Sequence, residues 1–302
     1  MYVASRPALG LGLGSADDQD PEAILASAFA RFDRLGIVSA LGPQTLVVID
    51  LVHRMGRQVP VRLIDTGMLF PETYGLVDAI RDRYGIAVER VHPTLDPAAQ
   101  AAAHGPALWA RDPDACCAIR KVAPLEHRSG SRTEHAEAGS FAGREGMPQA
   151  CATGRGRVPS VRNRGPARPP DETAQRATGD DPVGALPRAV ADLDGWITGL
   201  RRDQAPSRAL VQPIAFDART GRHKVCPLVG WTRERTLSWL KAAEIPYNPL
   251  LDQGYRTVGC VPCSRPASAD DDPTDERAGR WAGRDKTECG LHGLAPRSTR
   301  EA

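Results

Sequence analysis

The chain has no apolar run approaching the roughly 20 residues that a membrane-spanning helix needs. It also has little net charge: 39 Lys and Arg against 37 Asp and Glu leave +2 over 302 residues. That balance lacks the basic excess of a dedicated nucleic-acid binder, so no nucleic-acid partner and no membrane are expected. Lysine is scarce. Lys121, Lys224, Lys241 and Lys286 are the whole set, and arginine carries the rest of the positive charge. A guanidinium fork pairs bidentately with phosphate or sulfate, which suits anionic ligands. No secretory segment is expected either: the first twenty residues hold Asp17, Asp18 and Asp20 and no long apolar run. A soluble, cytoplasmic protein is expected. In that compartment paired cysteines signal metal or redox chemistry rather than structural disulfides.

What is present is a hydrophobic share of 41%, enough for a core, and seven cysteines, an odd number. Strand and helix patterns alternate early in the chain. Pro21 opens a helix with Asp20 before it as a cap, and Ile24, Leu25, Ala28, Phe29 and Phe32 recur at helical spacing. Residues 35–39 read as a strand, 42–45 as a turn, 46–54 as a helix, 59–64 as a strand, 71–83 as a helix and 87–91 as a strand. This alternation predicts an α/β fold with a parallel sheet and helices on both faces. Ligands bind such sheets beyond the carboxyl ends of the strands, which places Ser39 to Thr45 and Asp65 to Phe70, with Asp65, Thr66 and Gly67 leading, at the site. A helical region follows from 98 to Trp109, then a helix over 114–122. Past the composition break described below, 190–193 reads as helical, 196–199 as a strand, and 210–216 with 223–228 as a hairpin around Arg219-Thr220-Gly221. Thr232 caps a last helix.

The domain organisation follows from composition. Residues 1–20 read as a flexible arm. Residues 21–125 and 186–265 read as one α/β domain, and 266–302 as a C-terminal tail. Residues 126–185 are rich in Gly, Arg, Ser and Pro and poor in aliphatics, which predicts a disordered insert that cannot offset its ordering entropy. Cys151 within it is expected to be idle, and Cys226, between Val225 and Pro227, to be a core residue.

The remaining cysteines carry the chemistry. Cys260-Val-Pro-Cys263 presents two thiolates to one centre, with Cys116-Cys117 as a second pair. The spacing leaves zinc, a [4Fe–4S] cluster and a redox dithiol open. Cys289 stands apart, with Lys286 upstream, His292 downstream and Arg280 and Arg284 nearby. Positive neighbours stabilise a thiolate, and the thiolate is the nucleophile.

Cys116-Cys117 with Arg120-Lys121, Cys260-x-x-Cys263, Glu-Arg-Ala-Gly-Arg-Trp (276–281) and Lys-Thr-Glu-Cys-Gly-Leu-His (286–292) together resemble the assimilatory adenylyl-sulfate (APS) reductases of the phosphoadenylyl-sulfate (PAPS) reductase family. The similarity also takes in Asp65-Thr66-Gly67, Arg201-Arg202-Asp203-Gln204 and Tyr247-Asn248-Pro249-Leu250. The resemblance implies an adenine-nucleotide α-hydrolase-like fold and a [4Fe–4S] cluster on Cys116, Cys117, Cys260 and Cys263. It implies that Cys289 attacks the sulfur of adenylyl sulfate, and that thioredoxin or a glutaredoxin-like reductant then releases sulfite. Lys121, Arg277, Arg280 and His292, with Arg201 or Arg202, are the implied contacts to the phosphosulfate. One departure stands out: the family's loop after the first strand usually ends in an acidic pair, where this chain reads Ser39-Ala-Leu-Gly-Pro-Gln-Thr45. The alternatives are a PAPS or dual-substrate reductase and, from another class, an inactive zinc-stabilised interaction protein.

Overall fold

The computed structural model describes residues 20–125, 189–284 and 286–292. The expected arm over 1–20, apart from Asp20, the expected insert over 126–185 and Cys151 lie outside the described residues. The chain divides into one unit of residues 1–128 and 185–302 and another of residues 129–184; all described residues belong to the first.

Helix α1 (Pro21–Arg31) starts where Asp20 accepts a hydrogen bond from the Glu22 N–H at 3.2 Å, with proline at its first position. Then come β1 (Leu35–Ser39), α2 (Pro43–Arg54), β2 (Val61–Ile64), α3 (Pro71–Tyr84) and β3 (Val88–Val91). After β3 lie α4 (Pro97–His104), α5 (Leu108–Arg111) and α6 (Pro113–Cys117), the last running into a π turn at Ala118–Val122. The chain closes with β4 (Gly195–Ile197), β5 (Ile214–Asp217), β6 (Arg222–Val225) and α7 (Arg233–Ala242).

The strands form one six-stranded sheet in the order β3-β2-β1-β4-β6-β5. Every pairing is parallel except that of the edge strand β5 with β6. Strand β1 is buried along its whole length, as a central parallel strand must be. Alternate side chains divide between two cores. Ile37, Leu63 and Ile197 join the larger one, with α1, α2, α3 and α7. Val38, Ile64 and Trp196 face the other, against Leu125, Ala189, Val190, Leu193 and Leu291. From β1 the chain runs out to β2 and β3 on one side and later to β4 and β6 on the other. The carboxyl ends of β1 and β4 therefore flank a topological switch point. Among the described residues, no helix is long and apolar enough to cross a membrane.

Several expected boundaries move. Gly42-Pro43 is not a free turn, because Pro43 takes the first position of α2 and Gly42 is its cap. The region from 98 to Trp109 breaks at Gly105 (φ 81°) and Ala107 (φ 49°) into two helices. Residues 190–193, expected to be helical, make a turn closed by the Leu193 N–H on the Val190 carbonyl at 3.2 Å. The hairpin strands are shorter than their apolar patterns suggested, because Pro213 and Pro227 bound them. Cys226 is fully buried in the larger core, and burial pushes its thiol up to about 12.

Candidate active site

The switch point opens into a cleft of about 1220 Å³ that is continuous with solvent. Its floor is the loop between β1 and α2. Ser39 Oγ accepts from the Leu41 N–H at 3.0 Å and pairs with Thr45 Oγ1 at 2.6 Å, which folds the loop over the start of α2. Leu41 is buried in the left-handed region (φ 56°), a conformation that costs a leucine free energy and recurs at functional loops. No side chain caps α2; its first residues Pro43, Gln44 and Thr45 line the cleft, and the Thr45 N–H donates to the Gly42 carbonyl at 2.9 Å. Gly199, after β4, lies against this turn. A Cβ there would meet Gln44 Cβ at 2.6 Å and Thr45 N at 2.9 Å, so only glycine admits so close an approach.

Four side chains quoted above as site candidates bring nitrogen to the cleft wall beside Cys289: Lys121, Arg277, Arg280 and His292. Lys121 is buried and has no carboxylate partner among the described residues. Arg280 donates from Nε to the Cys263 carbonyl at 3.1 Å and stacks its guanidinium 4.5 Å from the Trp281 ring centre, while one of its terminal nitrogens is buried without a partner. Arg277 lies 3.3 Å from Glu288. Burial pushes the Cys289 thiol up, but Lys121, Arg277, the Leu291 N–H and Arg280 outweigh it and hold the thiol below its ordinary value. His292 behaves differently from the cation expected of it. Burial, together with Arg208, Lys224, Arg277 and Arg219, holds it well below 6.5, so it is a neutral ring at pH 7. It stacks on Trp196 at 6.0 Å and 7°.

A second cavity, of about 310 Å³, adjoins the first through Lys121 and is lined by Cys116, Cys117, Cys260 and Cys263 with Trp109 and Trp281. Asp112 caps α6 by accepting from the Ala115 N–H at 2.9 Å, which sets the register of the adjacent cysteines. The π turn that follows swings Arg120 and Lys121 inward, and Arg120 donates to the Thr66 carbonyl at 2.7 Å. Cys260 is fixed from the other side: it bridges to Leu69, the Val261 N–H meets the Met68 carbonyl at 2.8 Å, and Thr66 Oγ1 lies 3.2 Å from its sulfur. All four thiols are buried and free of disulfides. Burial raises the thiols of Cys116, Cys117 (to about 11) and Cys263. Among the described residues, no three His, Cys, Asp or Glu side chains converge as a single metal ion requires. The four cysteines line one pocket together.

The structure separates the remaining sequence candidates. Ser39 and Thr66 line the cleft. Asp65 does not: its buried carboxylate accepts from the Gly67 N–H at 2.9 Å, from Tyr74 at 3.0 Å and from Arg90 at 2.7 Å. Burial raises this carboxyl, and those hydrogen bonds bring it below its usual value. Asp65 and Gly67 thus shape the loop from beneath. Arg201 is fully buried and spent on Asp203 (2.9 Å) and Glu276 (2.5 Å), and Arg202 donates to the Val211 carbonyl at 3.0 Å. Neither reaches the cleft. Lys286 pairs with Asp114 and Arg284 packs on Trp109, so the charges beside Cys289 come from elsewhere. Sequence reading missed Arg208, Gln204 and Arg256 on the cleft wall: Gln204 and Arg208 end three-residue 3-10 turns and Arg256 sits in a bend, and none of these gives a periodic signal.

The sequence from 34 to 266 matches the model of the phosphoadenosine phosphosulfate reductase domain. An adenosine 5'-phosphosulfate reductase of Halalkalibacterium halodurans is 32% identical over 86% of this chain and 85% of its own length. A phosphoadenosine 5'-phosphosulfate reductase of Gloeobacter violaceus is also 32% identical, over 91% and 90% of the two chains. The crystal structure of a phosphoadenylyl-sulfate reductase from Candida auris superposes with a TM-score of 0.54 at 21% identity, over 82% of this chain and 91% of that one, a likeness of fold. With that match across the sheet and both cysteine pairs, the chain belongs to the phosphoadenosine phosphosulfate reductase domain family and is an oxidoreductase acting on a sulfur group.

Proposed function

We propose that the chain reduces adenylyl sulfate to sulfite and AMP at the expense of a dithiol such as thioredoxin, through a covalent intermediate on Cys289. The observation that carries this reading is the placement of Cys289 on the wall of the switch-point cleft together with Lys121, Arg277 and Arg280. The Cys289 thiolate attacks the substrate sulfur. An S–S bond forms, the S–O bond breaks, and AMP leaves with the electron pair. The cations offset the charge that develops on the leaving phosphate. A thiolate of the reductant then attacks Cys289 Sγ. Sulfite departs with the S–S electrons, and the reductant's second thiol resolves the mixed disulfide. Two electrons pass from the dithiol to sulfur. A cytoplasmic location, where dithiols are kept reduced, goes with this reading.

Cys116, Cys117, Cys260 and Cys263 fit a [4Fe–4S] cluster better than zinc. Four buried, unbridged thiols around a cavity match a polynuclear group, whereas zinc needs its donors about 2.3 Å from one point. When bound, the cluster supplies a fixed charge distribution beside Lys121. Attack is left to Cys289, the thiol outside the ligand set.

The test is mass spectrometry after incubation with APS, or separately PAPS, without reductant. One sulfonate on the Cys289 peptide with APS is expected, alongside iron and acid-labile sulfide in the protein. Cys289→Ser should keep iron and sulfide yet form no adduct and no sulfite. An adduct on Cys226 or Cys151, or turnover by Cys289→Ser, would overturn the nucleophile; zinc without sulfide would overturn the cluster. Reaction with PAPS alone would assign the chain to the other substrate.

A further inference from the structure

We infer that Arg219 and Lys224, on the β5–β6 hairpin, are positioning residues that hold the Cys289 thiol at the cleft by gripping the backbone that follows it. Arg219 donates to the Gly290 carbonyl at 2.6 Å and to the Leu291 carbonyl at 2.7 Å. Lys224 donates to the next carbonyl, that of His292, at 3.0 Å. Three consecutive carbonyls are thus engaged by two cations from one hairpin.

Cations on a hairpin are ordinarily solvated, and a Lys or Arg there needs no explanation. These two are drawn inward: the side chains are 23% and 12% exposed. Asp217 lies 3.6 Å from Arg219 and 3.7 Å from Lys224, between the two, and so orients both. Gly221 (φ 64°) supplies the left-handed turn residue that brings Arg222–Val225 back beside Asp217.

The segment they grip has no regular structure of its own. Gly290 takes φ 77°, and its neighbours cannot form a helix or strand around it. On the other side, Glu288 is held by Arg208 at 2.8 Å. Cys289 therefore sits between two clamps. The Arg208 clamp is part of the cleft wall, whereas Arg219 and Lys224 are not: they reach the cleft only through the backbone of residues 290–292, of which Leu291 and His292 line it, and they leave Lys121, Arg277 and Arg280 untouched. A small misplacement of a reacting atom is costly, on the order of 100-fold in rate for about 1 Å.

The inference rests on Cys289 being the nucleophile, so its test has one arm that needs no substrate turnover. The variants are Arg219→Gln, Lys224→Met and the pair together, with Arg219→Lys as the conservative exchange. In substrate-free protein, the rate of Cys289 alkylation by iodoacetamide, read on its peptide, should rise several-fold in Arg219→Gln and further in the pair. At saturating APS, the single-turnover rate of Cys289 sulfonation should fall about 10- to 100-fold, while the dissociation constant for AMP stays within about twofold of wild type. Arg219→Lys should recover part of both effects, since one ammonium can still reach one carbonyl. Unchanged alkylation and sulfonation in the pair would overturn the inference. So would a loss of AMP affinity that matches the loss of rate, because the hairpin would then act on the cleft as a whole. If wild-type protein accepts neither APS nor PAPS, the proposed function fails, and the alkylation comparison alone decides the clamp.

Discussion

Glu288 and Cys289 are neighbours with opposite electrostatic tasks. Glu288 is 4% exposed and accepts from Arg208 twice at 2.8 Å and from Ser207 at 3.1 Å, with Arg277 at 3.3 Å. Burial raises this carboxyl, and Arg208 and Arg277 bring it below the ordinary value of 4.5. A depressed carboxylate contributes stability that is complete above the unfolded value and is lost as pH falls through the folded one. Glu288→Gln leaves Arg208 and Arg277 buried without their carboxylate, which should cost about 3 kcal/mol near neutral pH. Urea denaturation of both proteins across a pH series checks this: the gap should begin to narrow as pH falls below about 4.5 and close only below the lowered folded value. A gap that persists at low pH would show that packing, not charge, accounts for the loss. At this scale the sequence pointed to Cys289 and to the two cysteine pairs, which lie on the wall of the cleft and around the adjoining cavity; of the local cations expected beside Cys289, Arg280 lines the cleft, while Lys286 pairs with Asp114 and Arg284 packs on Trp109. Arg201 was misjudged because Glu276, which neutralises it, arrives from 75 positions along the chain. His292 was read as a cation because its burial and its cationic surroundings are tertiary.

The element that shapes the cleft is α2. Its start was legible only in part. Gly-Pro reads as a turn, yet glycine before proline is equally a helix cap followed by a first-position proline, and here the apolar run to Val52 decides for the helix. The π turn after Cys117 left no sequence signal, since a helical pattern with one extra residue per turn looks like any helix. Yet this turn carries Lys121 to the boundary between the two cavities. Strands β1, β2 and β4 were legible as apolar runs, and the carboxyl ends of β1 and β2 pointed to loops that line the cleft through Ser39 to Thr45, Thr66 and Leu69. Gly199 shows what the pattern could not: it follows a strand like many glycines, but α2 is packed on its bare Cα. Gly199→Ala forces the Cβ against Gln44 and Thr45, an overpacking that should cost about 1–3 kcal/mol. Because the displaced atoms belong to the first turn of α2, AMP affinity should fall along with stability. Calorimetric titration with AMP beside a urea melt separates the two; a destabilised variant with unaltered AMP affinity would place the nucleotide away from α2.

Across the whole molecule, the sheet is assembled from two stretches of sequence that meet side by side. Strand β4 enters next to β1 although the segment 126–185 separates them in sequence. The two ends of that segment are stitched together within the described residues. The Ala189 N–H donates to the Pro124 carbonyl at 2.9 Å. Leu125 is fully buried with Ala189, Val190 and Leu193 in one core cluster. Arg62, from β2, fastens the far side by donating to the Ala189 carbonyl at 2.9 Å and to Asp192 at 2.6 Å. Joining Leu125 directly to Leu186 leaves Leu186, Pro187 and Arg188 between Leu125 and Ala189, enough chain to close a gap already spanned by a hydrogen bond. Loop-closure cost changes only slowly with length, so the shortened connection should change stability little. The cleft, the cysteine cavity and both clamps on the tail are built from residues on either side of the deletion. The variant lacking 126–185 should therefore melt within a few degrees of the parent, bind AMP as tightly, and sulfonate Cys289 at the parental rate. A deletion protein that folds and binds AMP but no longer sulfonates Cys289 would assign that segment a part in the reaction, since nothing else at the site would have been removed.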